Sequence, residues 1–365
     1  MPLAKYVFKP GINKEGTNYS NEGGWFDADK VRFRKGRPER IGGWQKQSTD
    51  SFIGTCRKLF IYRASSGTNY ITLGTHQKFY ILEGNVFSDV TPIRATTTNG
   101  IVFAATNGST TITATDDAHG AVEGDFVTIS SAVSLGGNIT ASVLNQEYQI
   151  TSVPSVDTFT FTATATANSS DSGNGGSAAD AAYQINTGLD VYVKSTGWGS
   201  GTWGASTWGS ANDLTLTNQL RLWSIDNFGD DVVLNPRAGG IFYWDESSGG
   251  NTRAVNATSL TNASDVPTKV LQIMISDVDK HAIAFGCNPI GSTTIDPLLV
   301  RFSDTESIID WTPTATNQAG GVQLSMGSTI IGALRTRQEI LIWTDAGIVS
   351  MRFVGAPFVF SFNEV

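Results

Sequence analysis

Alternation of apolar and polar residues in the middle of the chain predicts a group of short β-strands. The period of two is clearest at residues 111–115, 126–129, 148–153 and 158–162. Such alternation places successive side chains on opposite faces of a sheet, so that one face is buried and the other is polar. Glycines suited to tight turns separate these segments. We therefore predict a small β-barrel or sandwich in this part of the chain.

A longer repeat surrounds this segment and predicts a β-propeller. Each copy has an apolar strand, a short turn, a second strand and an aromatic strand that ends in a polar turn. The four copies cover residues 58–84, 220–245, 271–302 and 329–353. The later copies recur about every 50 to 60 residues, the size of a four-stranded propeller blade with generous loops. Four blades are the lower limit for a propeller, so we expect further chain or a neighbouring subunit to close the ring.

Composition favours an all-β fold. The 365-residue chain has 39 glycines and only 16% charged residues, which disfavours long helices, and its 40% hydrophobic residues suffice for a sizeable core. Two cysteines, Cys56 and Cys287, are too few for a disulfide framework or a four-cysteine zinc site. No apolar run is long enough for a membrane-spanning helix, and the first residues lack the apolar core of a secretory signal. We expect no membrane-spanning segment and synthesis in a cytoplasm.

The uneven distribution of charge along the chain predicts three domains. Residues 1–63 carry a net charge of +7, whereas residues 64–365 carry −15. Residues 95–193 contain no Lys or Arg but nine acidic residues, which is typical of a separately evolved insertion. We predict an N-terminal basic hairpin region with the first blade at 1–94, an inserted β domain at 95–182 and further blades at 183–365. The Ser/Gly/Asn-rich run 168–177 is expected to be a flexible exit linker.

Basic residues near the N-terminus predict a cationic hairpin that turns at Lys35-Gly36. Alternation places Arg32 and Arg34 on the face opposite Val31 and Phe33, so one side is buried and the other is cationic. This basic ridge consists of Lys30, Arg32, Arg34, Lys35, Arg37 and Arg40. Three interpretations remain open: an interface with an acidic surface of a neighbouring subunit, a contact with DNA phosphates, and an ordinary solvated hairpin.

A Trp-Gly pair recurs every five residues within a Gly/Ser-rich stretch. The aromatic residues of this candidate contact loop are Trp198, Trp203 and Trp208. They can pack on the rim of the fold, or they can form an aromatic shelf for sugar rings or a partner protein, because Trp offers a large rigid face.

Motifs of enzymatic chemistry are missing from the sequence. No Gly-x-Ser-x-Gly elbow, His-Glu-x-x-His metal motif or Gly-Lys-Ser/Thr phosphate loop occurs. A glycosidase stays open, because its two carboxylates need be close only in space. We predict no catalytic residues, no metal site and no cofactor.

Several strings resemble virion proteins of tailed phages. They are PGIN at 10–13, FDADKVRFR at 26–34, RPERIGGW at 37–44, THQKFYILEG at 75–84, DVTPI at 89–93, WSIDNFG at 223–229 and DWTPTATN at 310–317, together with the Trp-Gly repeats. The chain outside the insertion is similar to the propeller-based tail hub, or nozzle, of short-tailed phages, also called the packaged-DNA stabilisation type. None of these strings is a catalytic signature.

The resemblance implies a structural role in the virion tail. Several copies, six by expectation, would form a ring below the portal and adaptor, close the DNA channel and conduct the genome during ejection. The implied partners are other copies of the chain, the portal or adaptor and further tail proteins, with DNA passing through the channel without sequence-specific binding. An acidic lumen would let DNA slide instead of adhering. The alternatives are a host-surface glycan-binding tail module and a propeller glycosidase.

Overall fold

The computed structural model describes residues 8–17, 19–43, 45–46, 48–190, 220–277, 279–355 and 358–365. The chain forms two compact units, Met1–Thr49 and Asp50–Val365.

The first unit contains the hairpin that the sequence predicts. Strand β1 (Val31–Arg34) pairs antiparallel with β2 (Arg37–Arg40). The two turn residues both have positive φ, 50° at Lys35 and 77° at Gly36, as a type I′ hairpin turn requires.

Four consecutive antiparallel meanders build most of the second unit. Each meander has four strands in sequence order. The first meander is β3 (Cys56–Arg63), β4 (Asn69–Thr75), β5 (Phe79–Glu83) and β6 (Val86–Asp89). The second is β15 (Trp223–Phe228), β16 (Asp231–Pro236), β17 (Phe242–Trp244) and β18 (Val255–Asn256). The third is β19 (Val270–Ile275), β20 (Ala282–Cys287), β21 (Asp296–Phe302) and β22 (Gly320–Gln323). The fourth is β23 (Ile330–Arg335), β24 (Ile340–Thr344), β25 (Ile348–Gly355) and β26 (Val359–Glu364).

A sheet of eight strands lies in the sequence between the first and second meanders. The strands of this inserted sheet are β7 (Ile93–Thr97), β8 (Val102–Ala105), β9 (Thr111–Thr115), β10 (Phe126–Ser130), β11 (Glu147–Ser155), β12 (Thr158–Thr162), β13 (Asp171–Asn174) and β14 (Asp180–Gln184). Their order in the sheet is β13-β8-β9-β12-β11-β10-β14-β7. One turn of helix, α1 (Ala141–Leu144), precedes β11, and the second meander has 3-10 turns at Glu246–Ser248 and Ala257–Ser259.

Apolar residues from adjacent meanders pack face to face in three layers. Phe79 and Trp223 share a core between the first and second meanders, as Val233 and Ile273 do between the second and third. A third core joins the third and fourth meanders. Among the described residues, none of these cores joins the first meander to the fourth. The meanders therefore form a stack in chain order.

The inserted sheet has a hydrophobic core of its own. Phe103, Phe159, Phe161 and Tyr183 are all at most 1% exposed within it. Strand β11 carries two register shifts where it pairs with β12, and bulges of this kind bend a sheet so that its halves can enclose a core.

The structure confirms the all-β prediction, and most predicted strands occur within a few residues of their expected positions. The barrel alternative for the insertion is wrong, because β13 and β7 stand at the two open ends of the sheet in the described chain. The run 168–177 is not a linker throughout, since β13 lies inside it and pairs with β8. The domain boundaries at 94 and 182 and the β-propeller stay predictions.

Candidate functional site

The predicted basic ridge lies on the hairpin of the first unit. Its side chains are exposed at all six positions, Lys30, Arg32, Arg34, Lys35, Arg37 and Arg40. Val31 and Phe33 are half-buried, and the Phe33 ring lies 6.3 Å from that of Trp25. One face of the hairpin is therefore covered and the other presents cations to solvent.

Within the part of the chain that the structure describes, two of the six cations have acidic partners. Arg32 Nε lies 2.5 Å from Glu39 Oε1 on the paired strand, and Lys30 Nζ lies 3.9 Å from Asp29 Oδ2. Both pairs are exposed, so each contributes little to stability, on the order of 0 to 1 kcal/mol.

Like charges are concentrated at the tip of the hairpin at a cost in stability. Arg34 stands directly opposite Arg37 in the register, and like charges in that position destabilise a strand pair. Lys35 occupies the left-handed region, where Asn or Gly is more favourable. The cations at the hairpin tip therefore do not stabilise the hairpin itself. The choice between a subunit interface, a DNA contact and a solvated hairpin stays open.

The candidate contact loop with Trp198, Trp203 and Trp208 lies outside the described residues. Its role as a rim contact or as an aromatic shelf stays a prediction.

A set of charges, one buried and three half-buried, joins the inserted sheet to the first two meanders. We call Lys78, Asp89, Glu147 and Arg253 the junction ion network. Lys78 is 2% exposed, and its Nζ lies 2.7 Å from Asp89 Oδ2 and also donates to Glu147 Oε1. Arg253 Nη1 and Nη2 lie 3.3 Å from Asp89 Oδ1 and 3.2 Å from Glu147 Oε2. The two cations and two carboxylates thus alternate in a closed ring of contacts.

Neighbouring groups make further contacts with this network. Gln184 donates to Glu147 at 2.5 Å, and the Lys78 ammonium lies 4.4 Å from the centre of the Phe126 ring. Burial by itself would raise the pKa of Asp89, but the charges of Lys78 and Arg253 and a hydrogen bond from Thr91 hold it below its ordinary value. Asp89 is therefore ionised at neutral pH.

Polar side chains also join the first strands of adjacent meanders. Asp226 on β15 accepts a hydrogen bond from the main-chain N–H of Ile275 on β19 at 2.9 Å. Arg335 on β23 lies 3.3 Å from Asp226 and 3.0 Å from Asp277. Burial raises the pKa of Asp226, opposed by the Ile275 hydrogen bond and the charge of Arg335. These contacts connect the second, third and fourth meanders.

The junction ion network was not found by sequence reasoning, although one signal points to it. Residues 95–193 contain no Lys or Arg, so the ionic partners of Glu147 have to come from outside that segment. Which cations reach it depends on contacts between residues as distant as Glu147 and Arg253, which no local pattern encodes.

No group of three or more His, Cys, Asp or Glu side chains suited to a metal ion occurs in the described ranges. Within the same ranges, no helix combines the length and apolar character needed to cross a bilayer. Cys56 and Cys287 are both free thiols, and burial raises the pKa of Cys287 to about 12.

Comparison with known proteins includes a structural similarity to a phage protein. No protein-family model and no curated protein matches the sequence. Among solved structures, the chain is similar to "Phage phi92 endosialidase", with a TM-score of 0.22 and 14% identity. The match covers 88% of this chain and 44% of that chain, so the chain spans less than half the length of that protein. A TM-score of 0.22 does not establish a shared fold or function. The absence of enzymatic activity stays a prediction.

Proposed function

We propose that the chain is a structural component of a phage tail, of the hub or nozzle type. Its copies form a ring below the portal or adaptor, close the DNA channel and conduct the genome during ejection. Six copies form the ring, and the protein resides in the virion after synthesis in the host cytoplasm. It acts by assembly and has no catalytic residues. The resemblance of residues 26–44 and 75–93 to virion proteins supports the tail class.

The main support for this proposal is a structural repeat. The same four-stranded meander occurs four times, and side chains on the first strand of one meander bind the first strand of the next. Each meander has the strand number and connectivity of a propeller blade. The first strands of successive meanders are joined by side chains, as in the pairs Asp226 with Ile275 and Gln272 with Ala333. A stack that repeats in this way supports a propeller of which the described residues supply four blades.

Apolar faces at both ends of the stack support its continuation. Leu59 and Ile61 on β3 are 55% and 67% exposed, and Ile331 and Leu334 on β23 are 56% and 59% exposed. Leu59 and Ile61 alternate with Tyr62, which packs against the second meander, so they face away from it. Exposed apolar residues on a sheet face are typical of a surface that another sheet covers.

Charge supports a conduit assembled from copies. The cationic hairpin and the acidic remainder of the chain are complementary, so the hairpin of one copy can bind the acidic surface of the next. An acidic lumen would repel DNA phosphates and keep the genome mobile.

The native mass of the purified chain, with negative-stain images of the same sample, tests the proposal. We expect a ring of six copies with a central channel. An Ile61→Lys and Leu334→Lys double variant should keep the fold and lose assembly, because it places charges on both end faces. Val156→Lys is the matched control, since Val156 is 66% exposed in the inserted segment. A stable monomer at all concentrations, unaffected by the double variant, would contradict a ring-forming role.

A further inference from the structure

A cleft of about 800 Å³ lies where connections of the inserted sheet meet the second meander. Gly120 and Val122 contribute from a connection of the inserted sheet, and residues 185–189 from the chain that follows β14. Residues 236–240 and Phe242 contribute from the second meander. Its volume falls in the range of sites that hold small ligands, roughly 300 to 1,000 Å³.

Four cationic residues line this cleft. Among the described residues, they are Arg94, Arg221, Arg237 and Lys269, against one acidic lining residue, Glu123. Residues 50–365 hold fifteen Lys and Arg against 28 Asp and Glu. A concentration of four cations at one cleft therefore departs strongly from the charge of its surroundings.

Arg94 is held in place with part of its hydrogen-bonding capacity unused. Its Nη2 donates to the carbonyl of His119 at 2.8 Å, and its Cζ lies 5.4 Å from the centre of the Tyr183 ring. The Nε atom is buried and has no hydrogen-bond partner among the described residues. A buried donor without a partner is costly, so the hydrogen bonding of this guanidinium is incomplete within the described chain.

Arg221 is a second fixed cation of the cleft. Its Nη2 donates to the carbonyl of Asn186 at 2.6 Å, and its Cζ lies 5.9 Å from the centre of the Trp223 ring. Burial lowers its pKa to about 10, opposed by the carboxylate of Asp125, so Arg221 stays charged at neutral pH with reduced hydration. A poorly hydrated guanidinium binds an anion more strongly than a fully hydrated one.

We propose that this cleft binds a short acidic oligosaccharide whose carboxylates contact the four cations. Arginine recognises carboxylates through paired hydrogen bonds, and Lys269, which is exposed, adds a mobile charge at the rim. Leu189, Leu220 and Phe242 supply apolar lining against which the carbon faces of sugar rings pack.

The surroundings of the cleft favour a short ligand over a nucleic acid. A polynucleotide would extend beyond the cleft over other parts of residues 50–365, whose net negative charge would repel its phosphates. A short oligosaccharide keeps its carboxylates within the cationic region. This inference is independent of the proposed role in a tail ring.

Isothermal titration of the full chain with a panel of uronate and sialylated oligosaccharides tests the proposal. Each compound is paired with its methyl ester, which keeps the sugar rings and removes the negative charge. We expect at least one acidic compound to bind, its ester to bind at least tenfold more weakly, and affinity to fall as salt rises. A panel without binding, or equal binding of acid and ester, would overturn the proposal.

Variants locate the site. Lys269→Glu and Arg94→Met should each weaken binding about tenfold or more, since each removes a charged contact. Lys58→Glu changes the same charge at an exposed position outside the cleft and should leave binding unchanged. Circular dichroism and thermal unfolding check the fold of each variant, and the exposed Lys269 keeps the test valid if Arg94→Met is unstable.

The remaining outcomes identify other sites. Binding that the cleft variants do not weaken would overturn the assignment. If only the triple variant Trp198→Ala, Trp203→Ala and Trp208→Ala loses binding, the saccharide binds at the candidate contact loop and not at the cleft. If a single-stranded DNA oligonucleotide binds more tightly than every saccharide, and the cleft variants weaken its binding, the ligand of the cleft is a nucleic acid and the proposal is overturned.

Discussion

The side-chain amide of Gln272 makes two hydrogen bonds with the main chain of Ala333. Gln272 Nε2 donates to the Ala333 carbonyl at 2.7 Å, and the Ala333 N–H donates to Gln272 Oε1 at 2.8 Å. One side chain on β19 thus binds β23 of the next meander as a neighbouring strand would. The contact between the third and fourth meanders therefore has directional hydrogen bonds in addition to its apolar core.

Loss of this amide should destabilise the second unit. Gln272→Leu leaves the N–H and carbonyl of Ala333 without their partners, and we expect a decrease of about 2 kcal/mol in the free energy of unfolding. Urea unfolding followed by tryptophan fluorescence measures the change. Gln338→Leu, at an exposed loop position, should change stability by less than about 0.5 kcal/mol. Equal effects of the two substitutions would contradict the role of Gln272.

Removal of the buried cation of the junction ion network should be more severe. Lys78→Met leaves Asp89 and Glu147 with only Arg253 as a charged partner in the network, and breaking a buried ion pair costs about 3 to 5 kcal/mol. Chemical denaturation again provides the measurement. Lys58→Met removes an exposed lysine from the first meander and serves as the control. A loss below about 1 kcal/mol for Lys78→Met would show that the network is not a stabilising junction.

The same network predicts a dependence of stability on acid pH. The pKa of Asp89 in the folded chain lies below its ordinary value of 3.8. Its stabilising effect is therefore complete above that value and is lost as the pH falls through the folded pKa. Comparison of the native chain with Asp89→Asn from about pH 6 down to about pH 2 should give a stability difference that shrinks below pH 3.8. A difference that stays constant over this range would contradict the prediction.

The tip of the basic hairpin can be tested by charge reversal. The double substitution Arg34→Glu and Arg37→Glu should abolish ring assembly if the hairpin binds the acidic surface of a neighbouring copy. Mass photometry measures the assembled fraction. Lys46→Glu is the control, because it reverses the charge of an exposed lysine elsewhere in the same unit. Intact rings with weaker DNA binding would favour a phosphate contact. Intact rings with unchanged DNA binding would identify an ordinary solvated hairpin.

Local patterns in the sequence predicted the strands well wherever side-chain alternation is strong. The alternating segments 111–115 and 158–162 coincide with β9 and β12, because each strand has one buried and one polar face. The sequence repeats revealed three strands of each copy and left out fourth strands such as β18, which has only two residues. Edge strands of this kind are short and polar, so they carry little periodic signal.

Long-range contacts could not be predicted in the same way. The basic hairpin was found because its residues are neighbours in the sequence. The cationic cleft and the junction ion network bring together residues such as Arg94 and Lys269 from separate segments. Only the fold determines which of the scattered charges meet.

The pairing of β7 with β14 brings the two ends of the inserted sheet together. The strand that leads into the inserted sheet and the strand that leaves it are hydrogen-bonded neighbours, with Ile93 opposite Gln184. An insert whose ends lie side by side can be exchanged for another module with adjacent termini while the flanking meanders keep their connection. Positions 93 and 184 are therefore a natural attachment point for a foreign domain, provided that the replacement supplies a carboxylate in place of Glu147.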